Sequence, residues 1–180
     1  MKNDAIWWEF VRDVPEGLIE KFLADTSNLS KSKGTISTNN QLNEFRQVTK
    51  QNIPEFQYFS LMLYAYGMKA NEKVWQFDIT SSKQCELLTY GSEGDRYDGH
   101  VDLERMPNGL VRKLTVIAFL NEDYEGGRFY FQNDVKNKQY INAKKGTVIV
   151  FPSYIMHGVE PVTAGERKSC VTWLLGPDFK

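Results

Sequence analysis

The chain has 180 residues, a length suited to one domain that can bury a sizeable core. Its 22 basic and 23 acidic residues are mixed along the chain and nearly cancel, so no basic stripe marks nucleic acid as the main partner. The longest apolar run, residues 147–152, is far too short to span a bilayer, and the first residues lack the apolar core of a signal peptide.

Residues 6–11 are aromatic and β-prone and predict a short strand. Asp13, Pro15 and Glu16 read as a helix start, with Asp13 as N-cap, and Leu18, Ile19, Phe22 and Leu23 give that helix an apolar stripe. Residues 27–40, rich in Ser, Lys, Asn and Thr around Gly34, predict a loop, either a plain connector or a substrate-facing flap. Pro54 opens a second helix, in which Phe56, Phe59, Leu63 and Tyr66 recur at three- and four-residue steps, with Gly67 near its C-terminal end. Both helices are expected to lie outside a sheet and support it.

From Lys73 onward the pattern is one of strands. Residues 74–79 alternate, residues 80–83 read as a turn, and residues 84–90 as the returning partner. Pro107, Asn108 and Gly109 mark a turn, and residues 113–120 a buried strand. Gly126 and Gly127 lead into residues 128–132, residues 133–137 turn the chain into 138–142, and Gly146 introduces 147–151. Residues 167–175 form the last long strand. Many short strands with regular turns point to a β-sandwich or barrel. The expected organisation is a single domain over 1–180, with helical support over about 1–72 and a β core over about 73–176. Cys85 and Cys170 both lie in strand-like runs and form no Cys-x-x-Cys pair, so each reads as a buried free thiol. A cytoplasmic setting fits, or the host cytoplasm for a phage or viral product.

The chemistry concentrates in residues 90–102. His100 and Asp102 are two residues apart, and on an extended strand such side chains share a face. One imidazole and one carboxylate can therefore reach one metal ion. The chain has only two histidines, and the second, His157, follows a strand-like run. Two histidines and one carboxylate are the ligand set of the facial triad in non-haem iron(II) oxygenases. Tyr90 precedes His100 by ten residues, and Arg167 follows His157 by ten. A single His-x-Asp is more often just polar strand surface; here both histidines of the chain join the pattern.

Further elements keep a fixed order: Tyr97-x-x-His100-x-Asp102, Arg112-x-x-Thr115, Phe119-Leu-Asn121, Gly126-Gly127, Gly146-Thr-x-x-x-Phe-Pro152, His157, then Arg167 and Trp173. Over roughly residues 75–176 this pattern resembles the iron(II)/2-oxoglutarate dioxygenases, and within them the prolyl 4-hydroxylase-like branch. The helical part fits that family only loosely. The resemblance implies a mainly β fold, the double-stranded β-helix (a cupin-like jelly roll), with supporting N-terminal α-helices. It implies iron(II) on His100, Asp102 and His157, with 2-oxoglutarate and dioxygen taking the open positions and ascorbate as an auxiliary reductant. Arg167 then holds the far carboxylate of 2-oxoglutarate through its planar fork, and Tyr90 and Thr115 add hydrogen bonds. Several prolyl hydroxylases place a tyrosine near Phe119, which departs from them; Thr115 is therefore the expected partner of Arg167. Related halogenases carry a small residue where Asp102 stands, so the carboxylate favours hydroxylation.

Tyr97, Arg112 and Trp173 match positions that line the substrate cleft of prolyl hydroxylases. The resemblance thus implies hydroxylation of a proline in a peptide or protein, with 2-oxoglutarate decarboxylated to succinate and CO2. The expected partners are that peptide or protein and 2-oxoglutarate, without nucleic acid or membrane. One alternative is hydroxylation of a free amino acid or other small molecule. Another is a non-catalytic cupin-like module that binds metal or senses 2-oxoglutarate. Structural zinc sites are usually closed by four protein ligands, and only three are apparent here. Nucleic-acid demethylases usually carry a second arginine where this chain has Trp173.

Overall fold

The computed structural model describes residues 6–34, 45–54, 57–91, 94–132, 134, 137–142 and 144–179. The N-terminal part comprises β1 (Trp8–Phe10), α1 (Glu16–Thr26), β2 (Ser32–Lys33), β3 (Thr49–Asn52) and α2 (Tyr58–Lys73). Then come β4 (Ser81–Ser82), β5 (Glu86–Tyr90), β6 (Tyr97–His100), β7 (Val111–Phe119), β8 (Tyr124–Gly126) and β9 (Phe129–Gln132). The chain continues through β10 (Lys138–Tyr140), β11 (Val148–Pro152), β12 (His157–Val159) and β13 (Val162–Gly165) to β14 (Arg167–Gly176).

Antiparallel pairing builds a larger sheet in the order β1-β11-β7-β14-β5-β3-β2, with β4 also on β14. A smaller sheet runs β10-β9-β12-β6, and β13 pairs with β8. Every residue of β7 is buried, because both faces of the large sheet are covered. Leu114, Val116 and Ala118 pack with Val148, Val150, Cys170 and Leu174 under the helices. Ile117 and Phe119 pack with Ile149, Phe151 and Val171 against Phe129 and Phe131 of the smaller sheet. The mainly β, two-sheet architecture is therefore as the sequence leads one to expect, and the helices do lie outside it. Cys85 and Cys170 are free and buried. No helix among the described residues is long and apolar enough to cross a membrane.

Helix α2 turns Phe59, Leu63, Gly67 and Ala70 inward, at the spacing of one helix face. Phe22 of α1 stacks on Phe59 with ring centroids 4.1 Å apart. Gly67 does not end the helix, which runs on to Lys73. It lies where the helix crosses the sheet, and a Cβ there would fall 2.7 Å from Leu174 Cδ2.

Several local expectations are corrected. Asp13 does not cap α1, which has no side-chain cap; its carboxylate accepts instead from the Tyr66 hydroxyl at 2.7 Å. Helix α2 starts at Tyr58, where the Gln57 side chain accepts from the Phe59 N–H, and Pro54 lies in the preceding turn. Residues 74–79 form no strand. The Asn71 side chain makes two bonds of 2.9 Å to the backbone of Phe77, and Gln76 adopts a φ of 54°, so the segment folds back on the helix. The expected turn 80–83 contains β4, paired with Leu174 and Leu175, and β5 pairs with β14 and β3. Within the expected loop 27–40 lies the short β2; residues 35–40, with any flap there, and Phe56 and Asn133 fall outside the described residues.

Candidate active site

Strand β12 of the smaller sheet brings His157 directly opposite His100 of β6. Asp102 lies just beyond the end of β6, where its backbone N–H donates to the Ser153 carbonyl at 2.9 Å. The ligand atoms of the three side chains lie within 4.8 Å of one another. Asp102 Oδ1 is 3.5 Å from His100 Nε2, and Oδ2 is 3.4 Å from His157 Nε2. Each histidine places Nδ1 2.9 Å from the carbonyl two residues earlier, Asp98 for His100 and Ile155 for His157. With Nδ1–H donating there, each Nε2 presents its lone pair to the same point.

Electrostatics favour the ligand forms. Burial first, then the neighbouring His157, pushes the pKa of His100 down, toward the neutral imidazole. Burial alone would raise Asp102, but His157 and His100 together outweigh it and hold the carboxyl well below its usual range. Thr115 Oγ1 donates to Asp102 Oδ2 at 2.9 Å. That uses its one proton, so the Ser153 hydroxyl, 3.0 Å away, donates to Thr115. Two imidazole nitrogens and one ionised carboxylate oxygen, with three protein ligands in all, suit a divalent metal with open positions.

The triad lines a cavity of about 800 Å³, together with Tyr90, Tyr97, Arg112, Arg167, Ser169 and Trp173. Arg167, Ser169, Val171 and Trp173 share the cavity face of β14, as their alternation predicts. Six residues of strand put Arg167 and Trp173 roughly 20 Å apart along β14. Arg167 is 1% exposed, and its guanidinium lies over the rings of Tyr90 and Phe119. Its Nη1 donates to Ser169 Oγ at 3.1 Å, its Nε has no hydrogen-bond partner, and no carboxylate among the described residues pairs with it. A buried cation without a counter-ion is costly, so this end of the cavity fits an anionic ligand such as the far carboxylate of 2-oxoglutarate. Thr115 is placed differently from the expectation. It stands opposite Trp173 in the sheet and is engaged by Asp102, whereas the hydroxyl beside Arg167 is that of Ser169.

Two β-bulges bring further residues to the site. Arg112 and Thr115 are three apart and would point to opposite faces of a regular strand. The β7–β14 register steps from Leu114 to Arg112 against Leu174 and Leu175, which leaves Lys113 as the extra residue and turns Arg112 toward the cavity. There its guanidinium lies 4.2 Å from the Trp173 ring centroid, bonds to the Asp102 carbonyl and pairs with Glu104. A second register shift, between β6 and β12, brings Tyr97 to the side of His100, and the two rings stack at 3.5 Å. The Arg46 guanidinium lies 4.8 Å from the Tyr97 ring centroid.

Sequence reasoning assigned no role to Ser153, Ser169, Glu104 or Arg46. Ser153 could have been found, since it directly follows the Phe-Pro pair that ends β11. Arg46 gives no local signal, because it reaches the site from outside the β core.

The family model described as the 2OG-Fe(II) oxygenase superfamily matches residues 85–175. A PKHD-type hydroxylase of Prochlorococcus marinus is 34% identical over 107 residues, covering 58% of this chain and 48% of the relative. One from Synechococcus sp. is 32% identical over 110 residues, covering 60% and 49%. The chain thus spans about half the length of these curated relatives. A prolyl hydroxylase from Trichoplax adhaerens, solved with a hypoxia inducible factor peptide fragment, superposes with a TM-score of 0.77 at 19% identity, over 96% of this chain and 84% of that one. A prolyl-4-hydroxylase from Pseudomonas putida gives 0.75 at 17% identity, over 95% and 93%. These likenesses show the fold, the double-stranded β-helix.

Proposed function

Since the chain belongs to the 2OG-Fe(II) oxygenase superfamily, whose cofactors are iron(II), 2-oxoglutarate and dioxygen, we propose that it hydroxylates a proline in a peptide or protein while 2-oxoglutarate is decarboxylated to succinate and CO2. The observation that carries this reading is the meeting, in one cavity, of the His100–Asp102–His157 ligand set and the buried, uncompensated Arg167.

His100, Asp102 and His157 would hold the iron, which when bound supplies the activation of dioxygen. Thr115 donates to one carboxylate oxygen of Asp102 and so would help orient that carboxylate as a ligand. Arg167 anchors the far carboxylate of 2-oxoglutarate, with Ser169 fixing one arm of the fork and Tyr90 walling the same end. Tyr97, Arg112 and Trp173 form the substrate side. An aromatic wall packs on a pyrrolidine ring, and peptidyl proline brings no N–H that would need a partner. The named activity of the prolyl hydroxylases with this fold supports proline over other side chains, and the PKHD-type relatives support hydroxylation.

The test is mass spectrometry of proline-containing peptides incubated with the protein, iron(II) and 2-oxoglutarate. A gain of one oxygen on proline, coupled to succinate formation, is expected. A gain on a free amino acid or other small molecule and never on a peptide would replace the proline reading.

A further inference from the structure

Beside Trp173, away from Arg167, the cavity lining carries the cationic side chains of Lys83 and Arg112, and it also includes Arg46 and Lys50; apart from the metal-ligand candidate Asp102 and Asp98, which pairs with Arg96, its carboxylates are Glu86 and Glu104. Glu86, 7% exposed, is shared by Arg46 at 3.5 Å and Lys50 at 3.3 Å, and Glu104 is taken by Arg112. Lys83 pairs with no carboxylate among the described residues. Its ammonium lies 5.1 Å from the Trp173 ring centroid, and its backbone N–H donates to the Trp173 carbonyl at 2.8 Å. Burial, then Arg112, lowers the Lys83 pKa, as expected of a half-buried cation beside another.

Two donors nearby are also unanswered. Trp173 is 5% exposed and Arg112 is 6% exposed, and neither Trp173 Nε1 nor Arg112 Nε has a hydrogen-bond partner. Buried N–H groups are nearly always paired in finished structures, so unpaired donors lining a cavity point to a ligand that accepts from them. Excess positive charge and free donors at one place call for an anion with acceptor oxygens.

We propose that this end of the cavity is a carboxylate subsite for the substrate, formed by Lys83, Arg112 and Trp173, so that the chain selects peptides with a carboxylate close to the target proline. The inference rests on the peptidyl-proline reading and deepens it. The carboxylate comes from an acidic side chain beside the proline or from a peptide C-terminus. Glu86 completes the subsite by binding Arg46 and Lys50, which leaves Lys83 as the charge facing the substrate.

The test is fluorescence anisotropy on the full chain loaded with manganese(II) and 2-oxoglutarate, which reads binding without turnover. The peptides form a matrix: Glu, Gln or Lys beside a central proline, a C-terminal acid or amide, and each again with alanine for proline. At least one carboxylate form is expected to bind roughly tenfold or more tighter than its neutral counterpart, the scale of a charge-assisted hydrogen bond. Which pair shows the difference identifies the source. Lys83→Gln should erase the preference, and Lys83→Glu should turn it toward Lys-flanked peptides. Equal affinity of acidic and neutral forms, or a preference for either carboxylate form that survives Lys83→Glu and Lys83→Gln, overturns the subsite. Loss of the proline-over-alanine difference with a retained acidic preference strikes only the proline reading.

Discussion

The two faces of the large sheet are built from alternate residues of the same strands, yet they do different work. Under the helices, β7 and β14 present Leu114, Val116, Ala118, Cys170 and Leu174, and the face is held mainly by apolar burial, with the buried Thr172 hydroxyl bonded to the Lys83 carbonyl. Toward the smaller sheet the same strands present Thr115, Arg167, Ser169 and Trp173 among their apolar neighbours, all 5% exposed or less. Burying such groups is unfavourable unless they are answered, and here they are answered by one another, by Asp102, or by a ligand. Both faces bury an apolar cluster, but the candidate chemistry lies on one of them, so substitutions on the two faces should separate.

The largest effect is expected at the triad. His157→Ala removes one of three metal ligands, and tight manganese(II) or iron(II) binding should be lost by calorimetry, together with the metal-dependent rise in Tm. Wild-type-like metal affinity in that variant would remove the assignment. On the opposite face, Leu174→Ala should cost about 2–5 kcal/mol of stability by denaturant unfolding, because Leu174 is fully buried against α2. Metal affinity measured well below its Tm should stay unchanged. A large loss of metal affinity there would show that the two faces are not separable.

Arg167→Ala comes next. Losing a charge-assisted fork costs about 1.5–3 kcal/mol, or about 10- to 150-fold in the Michaelis constant for 2-oxoglutarate. Metal affinity should change far less, and an unchanged Michaelis constant would shift the role elsewhere. Thr115→Val keeps the shape of the side chain but deletes the donor to Asp102 Oδ2. Loss of such an outer partner typically weakens metal binding about 10- to 100-fold, and calorimetry with manganese(II) would read it. If the hydroxyl instead served 2-oxoglutarate, the Michaelis constant would move and the metal affinity would not.

That contrast marks where the sequence was readable. The shared face of Arg167, Ser169, Val171 and Trp173 follows from strict alternation, whereas the triad and the role of Arg167 were legible from residue type together with the family resemblance. Residues 74–79 misled because alternation was present but Asn71, in the last turn of α2, captured the Phe77 backbone six residues on. Thr115 was placed beside Arg167 because nothing in a linear motif shows the rung of β14 it faces; the register puts it opposite Trp173. Arg112 and Tyr97 reach the cavity through bulges, and a bulge reverses the face of every residue beyond it without leaving a residue-type signature here. Lys83, Glu86 and Arg46 were invisible for a different reason. Their roles come from charge balance across strands distant in sequence, and no local spacing encodes that.

The smallest effect should come from Ser153→Ala. Ser153 is fully buried, and its hydroxyl donates to Thr115, which donates to Asp102. Removing it deletes the outer donor but leaves the inner one, since the Thr115 proton still points at Asp102 Oδ2. The Ser153 carbonyl, which holds the Asp102 backbone N–H, is also untouched by the substitution. The expected outcome is a loss of about 0.5–1.5 kcal/mol in stability, the usual range for one hydrogen bond, and a weaker effect on metal affinity than that of Thr115→Val. Chained hydrogen bonds polarise one another, so some loss of metal affinity should remain. In the Thr115→Val background the Ser153 hydroxyl no longer reaches Asp102 through a donor, and Ser153→Ala should then leave metal affinity where Thr115→Val put it. Additive losses in the double variant would mean that the two hydroxyls act on the metal site separately, and would break the relay into two independent contacts.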